Sequence, residues 1–241
     1  MALPINRPAK LVKASRNPAA PFQCRLVVMA KVPELGRVKT RLARQVGGVE
    51  AVRFYRHTLA SVLSRVGFDP RWHTSLSVAP DTGITHRIWP RNLRRRAQGA
   101  GDLGCRMQRI MQCHPPGPVI IVGTDIPAIR PADIANAFKR LQRADAVFGA
   151  APDGGYWLVG LRRSPRILRP FRDVRWSSPA TLSDTTANLT THAIERAATL
   201  SDVDSAEDLA TCRGWYGRRI LPARSRYSVD DIGALQTIVS E

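Results

Sequence analysis

The stretch Val119-Ile-Ile-Val-Gly-Thr-Asp125-Ile-Pro127 constrains the fold more than any other part of the chain. A short apolar run bounded by Pro118 on one side and by Gly123 to Pro127 on the other reads as a buried strand. Its carboxyl end then carries the carboxylate of Asp125, and in open α/β sheets ligands bind at that end of the strands. A second acidic turn, Asp153-Gly-Gly-Tyr-Trp157, follows within the same half of the chain.

The flanking segments supply the rest of such a sheet. Arg25 to Ala30 reads as a first strand and Lys31 to Lys39 as the loop after it. Val49, Val52, Leu59, Val62, Leu63 and Val66 give Gly48 to Val66 the period of an amphipathic helix. Trp72, Thr74, Leu76 and Val78 alternate through Arg71 to Ala79 as a half-buried strand does. Helices are expected over Asp102 to Met111, Pro131 to Leu141, about Pro179 to Asn188, and from Ser205, where Ser205-Ala-Glu-Asp208 offers a capping-box start. Ala146 to Ala150, Tyr156 to Leu161 and part of Ala193 to Leu200 complete the strands. Strands alternating with helices predict an α/β sandwich with a central, mostly parallel sheet and right-handed crossovers.

With 241 residues and 44% hydrophobic content, the chain can bury one sizeable core. Residues 24–212 are expected to form the domain, between a flexible basic tail at 1–23 and a basic extension at 213–241. No run approaches the roughly 18 consecutive apolar residues of a membrane span, and the N-terminal charges flank no apolar signal core. A cytoplasmic protein is the expectation. Cys24, Cys105, Cys113 and Cys212 form no CxxC pair and read as reduced thiols.

The formal net charge of +18 is concentrated in three acid-free clusters. These are Arg7 to Arg16, Arg91 with Arg94 to Arg96, and Arg213 to Arg226. Any nucleic-acid binding would therefore rest on tails and one loop. No helix-turn-helix, zinc-finger or RNP-like pattern accompanies them, so nucleic acid is not the expected partner.

Lys31, Arg37, Lys39 and Arg41 crowd around Pro33 and Gly36 after the first strand, where basic side chains and backbone N–H groups can gather phosphate oxygens. A solvated basic turn is the plainer alternative. In Gln98-Gly-Ala-Gly-Asp-Leu-Gly104, Gly99 and Gly101 imply close backbone approach, and Asp102 can cap the next helix or bind a ligand hydroxyl. Asp125, Asp153 and Asp204 are each ordinary turn residues alone, but three carboxylates at strand ends would suit Mg²⁺ or Mn²⁺.

Taken in order, five motifs resemble the DUF2064 family, whose members are often labelled arsenosugar-biosynthesis-type glycosyltransferases. They are Lys31-x-Pro-x-x-Gly36-x-Val-Lys-Thr-Arg-Leu42, Gln98-Gly-x-Gly-Asp-Leu-Gly-x-Arg-Met107, Gly123-Thr-Asp-Ile-Pro127, Asp153-Gly-Gly-Tyr-Trp157 and Trp176-Ser-Ser178, within about Arg25 to Leu209. The resemblance implies a GT-A-like nucleotide-diphospho-sugar transferase fold, Rossmann-like, binding a nucleotide through its first half. The chain is also similar to phospholactate guanylyltransferase and molybdenum cofactor nucleotidyltransferases in its Lys-Thr-Arg-Leu run, strand-end aspartate and Asp-Val-Asp-x-x-Glu-Asp-Leu ending. It departs from many glycosyltransferases in lacking Asp-x-Asp, and from nucleotidyltransferases in lacking a Gly-x-Gly-x-Arg-Met start.

The resemblance places Lys31, Arg37, Lys39 and Arg41, with Gly99, Gly101 and Asp102, at the nucleotide phosphates. It places Asp125 and Asp204 on the metal, and Gly154, Gly155, Tyr156, Trp157 and Trp176 on the acceptor side. Asp125 and Asp153 become the catalytic pair, Asp153 as a general-base candidate. The preferred reading is a metal-dependent glycosyltransferase using a nucleotide sugar and a small-molecule acceptor. The alternative is a guanylyltransferase-like nucleotidyltransferase that takes a nucleoside triphosphate and releases pyrophosphate. A non-catalytic or nucleic-acid-binding protein is the third reading.

Overall fold

In the computed structural model, which describes residues 23–163 and 166–216, seven strands form a single sheet. They are β1 (Arg25–Lys31), β2 (His73–Ala79), β3 (Arg94–Ala97), β4 (Val119–Val122), β5 (Ala146–Ala150), β6 (Tyr156–Leu161) and β7 (Ile194–Ala197), in the spatial order β3-β2-β1-β4-β6-β5-β7. β1 runs parallel to β2 and β4, β2 to β3, and β5 to β7. β6 is antiparallel to both β4 and β5. With β6 reversed between them, β5 and β4 point the same way. Six strands therefore end at one edge of the sheet, and β6 begins there.

The apolar run of β4 shows no alternation because both its faces are covered. Val119, Ile120, Ile121 and Val122 are each at most 3% exposed, which contributes about 1.5–3 kcal/mol per large side chain. Ile120 and Val122 pack with Leu26, Val28, Leu76 and Val78 in one cluster. That cluster takes in Leu59, Val62 and Leu63 of α2 (Gly48–Val66) and Ile134 and Phe138 of α4 (Pro131–Arg140). Val119 and Ile121 join Val27, Val159 and Met107, Ile110 and Met111 of α3 (Leu103–Cys113) in a second. A third, of Leu42, Ala51, Phe54, Val203 and Leu209, ties α1 (Thr40–Val46) and α2 to α6 (Ala206–Tyr216). α5 (Thr181–Ala187) lies between β6 and β7 in the chain.

Three elements differ from the sequence reading. α1 follows the expected Lys31–Lys39 loop in a stretch for which no element is read, and its seven residues bury Leu42 alone, too little apolar signal to announce a helix. A short 3-10 helix covers Asp81–Thr85. The Arg94 to Arg96 cluster, expected in a loop, is the edge strand β3, with Arg94 and Arg96 exposed. An outermost strand needs no apolar face, and charge along it opposes edge-to-edge pairing. On α2, Val49 is 75% exposed although its spacing puts it on the apolar stripe.

The four cysteines are free thiols, and among the described residues no helix is long and apolar enough to cross a membrane. Most of the basic segments expected at 1–23 and 213–241 lies outside the described residues, while 213–216 continue α6.

Candidate active site

The carboxyl edge of the sheet gathers acidic and basic groups from four separate segments. Asp125 follows β4, and its carbonyl accepts the N–H of Val203 at 3.3 Å, which brings the segment after β7 alongside. Asp204 is the next residue. Between the two carboxylates sits the ammonium of Lys39, 2.8 Å from Asp204 Oδ1 and 3.4 Å from Asp125 Oδ2. The Lys39 side chain is 3% exposed, against 45% for Asp125 and 41% for Asp204. Burial alone would lower the Lys39 pKa, but Asp125, Asp204 and Asp202 outweigh it and the net direction is up. Arg41 is exposed and reaches Asp204 Oδ2 at 3.7 Å.

The turn that carries Asp125 is held from below. The buried Tyr55 hydroxyl on α2 accepts the N–H of Lys31 at 2.8 Å, lies 3.2 Å from the Lys31 carbonyl, and is 3.1 Å from the Thr124 hydroxyl. Burial, and then the Asp125 charge, push the Tyr55 phenol well above its ordinary value, so it stays a neutral strut. Asp208 caps α6 as its sequence suggests. Its Oδ2 accepts the N–H of Asp204 and of Ser205 and the Ser205 hydroxyl, and Ser205 Oγ accepts the Asp208 N–H.

Asp202 was not singled out by the sequence, although its Asp-Val-Asp spacing with Asp204 was the available signal. Its pKa is raised by burial, then by Asp204 and by Asp153. Asp153 thus lies within electrostatic reach of the acidic group. Asp153 is exposed, and its Oδ1 accepts the Gly155 N–H at 2.9 Å in the turn between β5 and β6. Gly154 holds φ +84°, and a Cβ there would meet the Pro179 carbonyl oxygen at 2.2 Å.

Other expected positions fall elsewhere. Lys31 ends β1 and is exposed; Arg37 pairs with Glu34 at 3.1 Å. Gly99 (φ +77°) and Gly101 (φ +100°) do need glycine, since that positive φ strains any side chain. The Gly99 N–H is engaged by Asp81, and Asp102 caps α3 by accepting the Cys105 N–H at 2.7 Å. That bond, and after it contacts including Trp176, hold the Asp102 carboxyl below its usual range. Trp176 is half-buried over Gly104 at the start of α3. Tyr156 and Trp157 point to opposite faces of β6. Tyr156 packs edge-on to Phe148, centroids 5.4 Å apart. Trp157 is 3% exposed and donates to the Ala198 carbonyl at 2.9 Å. Trp157 is therefore core, and the acceptor-side group is not brought together on one open surface.

Among the described residues, no group of three or more His, Cys, Asp or Glu side chains is arranged to hold a metal ion. The Asp125–Asp204 pair nevertheless suits a hard cation of the magnesium type, which takes one or two carboxylates and completes its shell with substrate phosphate and water. Asp125 Oδ1 is buried with no hydrogen-bond partner, an acceptor left over for such an ion.

Residues 62–178 match the family model described as "Uncharacterized protein conserved in bacteria (DUF2064)". This is the family that the motifs resemble, matched over a narrower span than the ordered motifs cover. No curated protein matches the chain. A solved structure from Desulfovibrio desulfuricans G20, provisionally classed as a nucleotide-diphospho-sugar transferase, is 25% identical, with 90% of this chain and 96% of that one covered and a TM-score of 0.72. The 4-diphosphocytidyl-2C-methyl-D-erythritol synthase of Anaerococcus prevotii is 12% identical over 82% and 99% of the two chains, TM-score 0.56. The inositol-1-phosphate CTP transferase of T. maritima is 9% identical over 90% and 96%, TM-score 0.52. The last two share the fold, and the chain has the GT-A-like nucleotide-diphospho-sugar transferase architecture that its motifs predicted.

Proposed function

We propose that this chain is a cytoplasmic transferase that takes a nucleotide sugar as donor, with Mg²⁺ or Mn²⁺ between Asp125 and Asp204. One observation carries the reading: the two carboxylates converge on a single cation position, already taken by an ammonium at 2.8 and 3.4 Å. The likeness to the Desulfovibrio structure over nearly the whole of both chains supports the donor class.

A divalent ion there would offset negative charge developing on the departing diphosphate. Tyr55 and Thr124 fix the Asp125 turn, so the carboxylate needs no rearrangement to face a ligand. Arg41 and Lys31, exposed on either side of Lys39 in sequence, can neutralise phosphate oxygens. Asp153, exposed at the β5–β6 turn, is free to take a proton from an acceptor hydroxyl with Oδ2 while Oδ1 holds the turn.

A second reading, nucleotidyl transfer from a triphosphate, is favoured by one feature. The positions that would complete an Asp-x-Asp pair with Asp125 are Gly123 and Pro127, and the second carboxylate arrives instead from Asp204 after β7. Product analysis separates the two. With Mn²⁺ and a panel of nucleotide sugars and triphosphates, glycosyl transfer or donor hydrolysis yields nucleoside diphosphate, and nucleotidyl transfer yields pyrophosphate. Asp125→Ala should abolish either. Turnover that survives Asp125→Ala, or no turnover or metal-dependent binding of any nucleotide class, refutes the proposal.

A further inference from the structure

Lys39 belongs, by motif, with the side chains expected at phosphates, yet its ammonium is buried between the two acidic groups assigned to the metal. Its backbone is left-handed, φ 47° and ψ 43°, immediately before α1. Non-glycine residues occupy that region at a penalty, here for a side chain whose charge is neutralised by Asp125 and by Asp204, the latter 165 residues away in sequence. An ammonium and a divalent cation on one carboxylate pair lie a few ångström apart, and their mutual repulsion disfavours holding both at once.

We infer that Lys39 is the resident counter-cation of the Asp125–Asp204 pair and that it withdraws when a divalent cation binds, releasing its ammonium toward the phosphate side. This rests on the reading of Asp125 and Asp204 as the metal pair. Lys39 acts as a positioning residue in this role. With its ammonium in place, two neighbouring carboxylates are neutralised without a metal; once withdrawn, the same charge is available to a nucleotide phosphate. Cation loading and phosphate capture are thereby coupled through one side chain. The unpartnered Asp125 Oδ1 supports the exchange, since it gives an incoming ion an oxygen that Lys39 does not use.

Amine acylation read by mass spectrometry tests this on the unmodified protein. Lys31 and Lys139, both exposed, serve as internal references. In chelator, Lys39 should label at least tenfold more slowly than either. Saturating Mn²⁺ alone should raise its relative rate severalfold. In parallel, Mn²⁺ binding is measured by loss of the free-ion magnetic resonance signal for wild type, Asp125→Asn and Lys39→Met. Asp125→Asn should lose binding, and Lys39→Met should bind at least tenfold more tightly than wild type. If wild type binds Mn²⁺ through Asp125 while Lys39 stays protected, or Lys39→Met binds no more tightly, the lysine proposal is overturned and the metal pair stands. If wild type binds no Mn²⁺, or Asp125→Asn binds equally, the metal reading falls and this inference with it. Should Lys39→Met fail to fold, the labelling result decides alone.

Discussion

Gly154→Ala tests whether the Asp-Gly-Gly turn is first a structural clamp. At φ +84° an alanine is strained, by about 1–2 kcal/mol. Its Cβ would also lie 2.2 Å from the Pro179 carbonyl oxygen and 2.5 Å from the Pro179 Cα, both backbone atoms that cannot swing aside. Overpacking of that kind adds about 1–3 kcal/mol. The Leu182 N–H donates to the Gly154 carbonyl at 2.9 Å, so any shift also loosens the start of α5. The expected loss is about 2–5 kcal/mol, or a Tm fall of roughly 5–15 °C for a domain of this size. Gly36→Ala is the matched control. It has φ +73° with nothing within 4 Å of the added methyl, so only the conformational part remains, about 1–2 kcal/mol. Calorimetry of both variants checks the difference. Equal falls in Tm would refute the packing argument and return the motif to a purely catalytic explanation.

Tyr55→Phe removes the hydroxyl that serves Lys31 and Thr124, leaving a part-buried N–H unpaired, and should lower stability by about 1–3 kcal/mol in urea unfolding; an unchanged midpoint would contradict the strut. Trp157→Ala should cost about 3–5 kcal/mol because the ring is core, whereas a change in acceptor KM with stability intact would restore it to the acceptor side. His114 is pushed down to about 4 by burial and then by Arg25, Arg96 and Arg163. The unfolded chain takes up the proton first as pH falls below its ordinary 6.5, so this contribution to stability is full above that pH and is lost on the way to about 4. His114→Gln should flatten the fall of the urea midpoint between those two pH values, and an identical slope would show that other groups carry it.

The elements legible in the sequence are those whose burial imposes a period or an unbroken apolar run. β4 and α2 emerge with their observed bounds. α1 and β3 were missed because each lies at the surface, where Leu42 is the one buried residue of α1 and β3 reads Arg-Arg-Arg-Ala. At the site, Asp125 was visible because a strand points to it. Asp202 and Tyr55 were not, since one gains its character from neighbours after β7 and β5, and the other from lying under a turn 69 residues away. Trp157 is ambiguous in sequence, because an aromatic beside Asp-Gly-Gly looks the same whichever face of β6 it takes.

The reversed strand β6 has a consequence for assembly order. Because it is flanked by β4 and β5, the sheet cannot be zipped from one end as the chain emerges; β4 can pair with β1 at once, but its other edge must wait for a strand that follows β5. The Lys39–Asp204 contact waits longer still, across 165 residues, and closing so long a loop comes late and with the whole fold already behind it. In the metal-free protein a signal from that contact then reports chains that have closed this long loop, and is silent in those that have not.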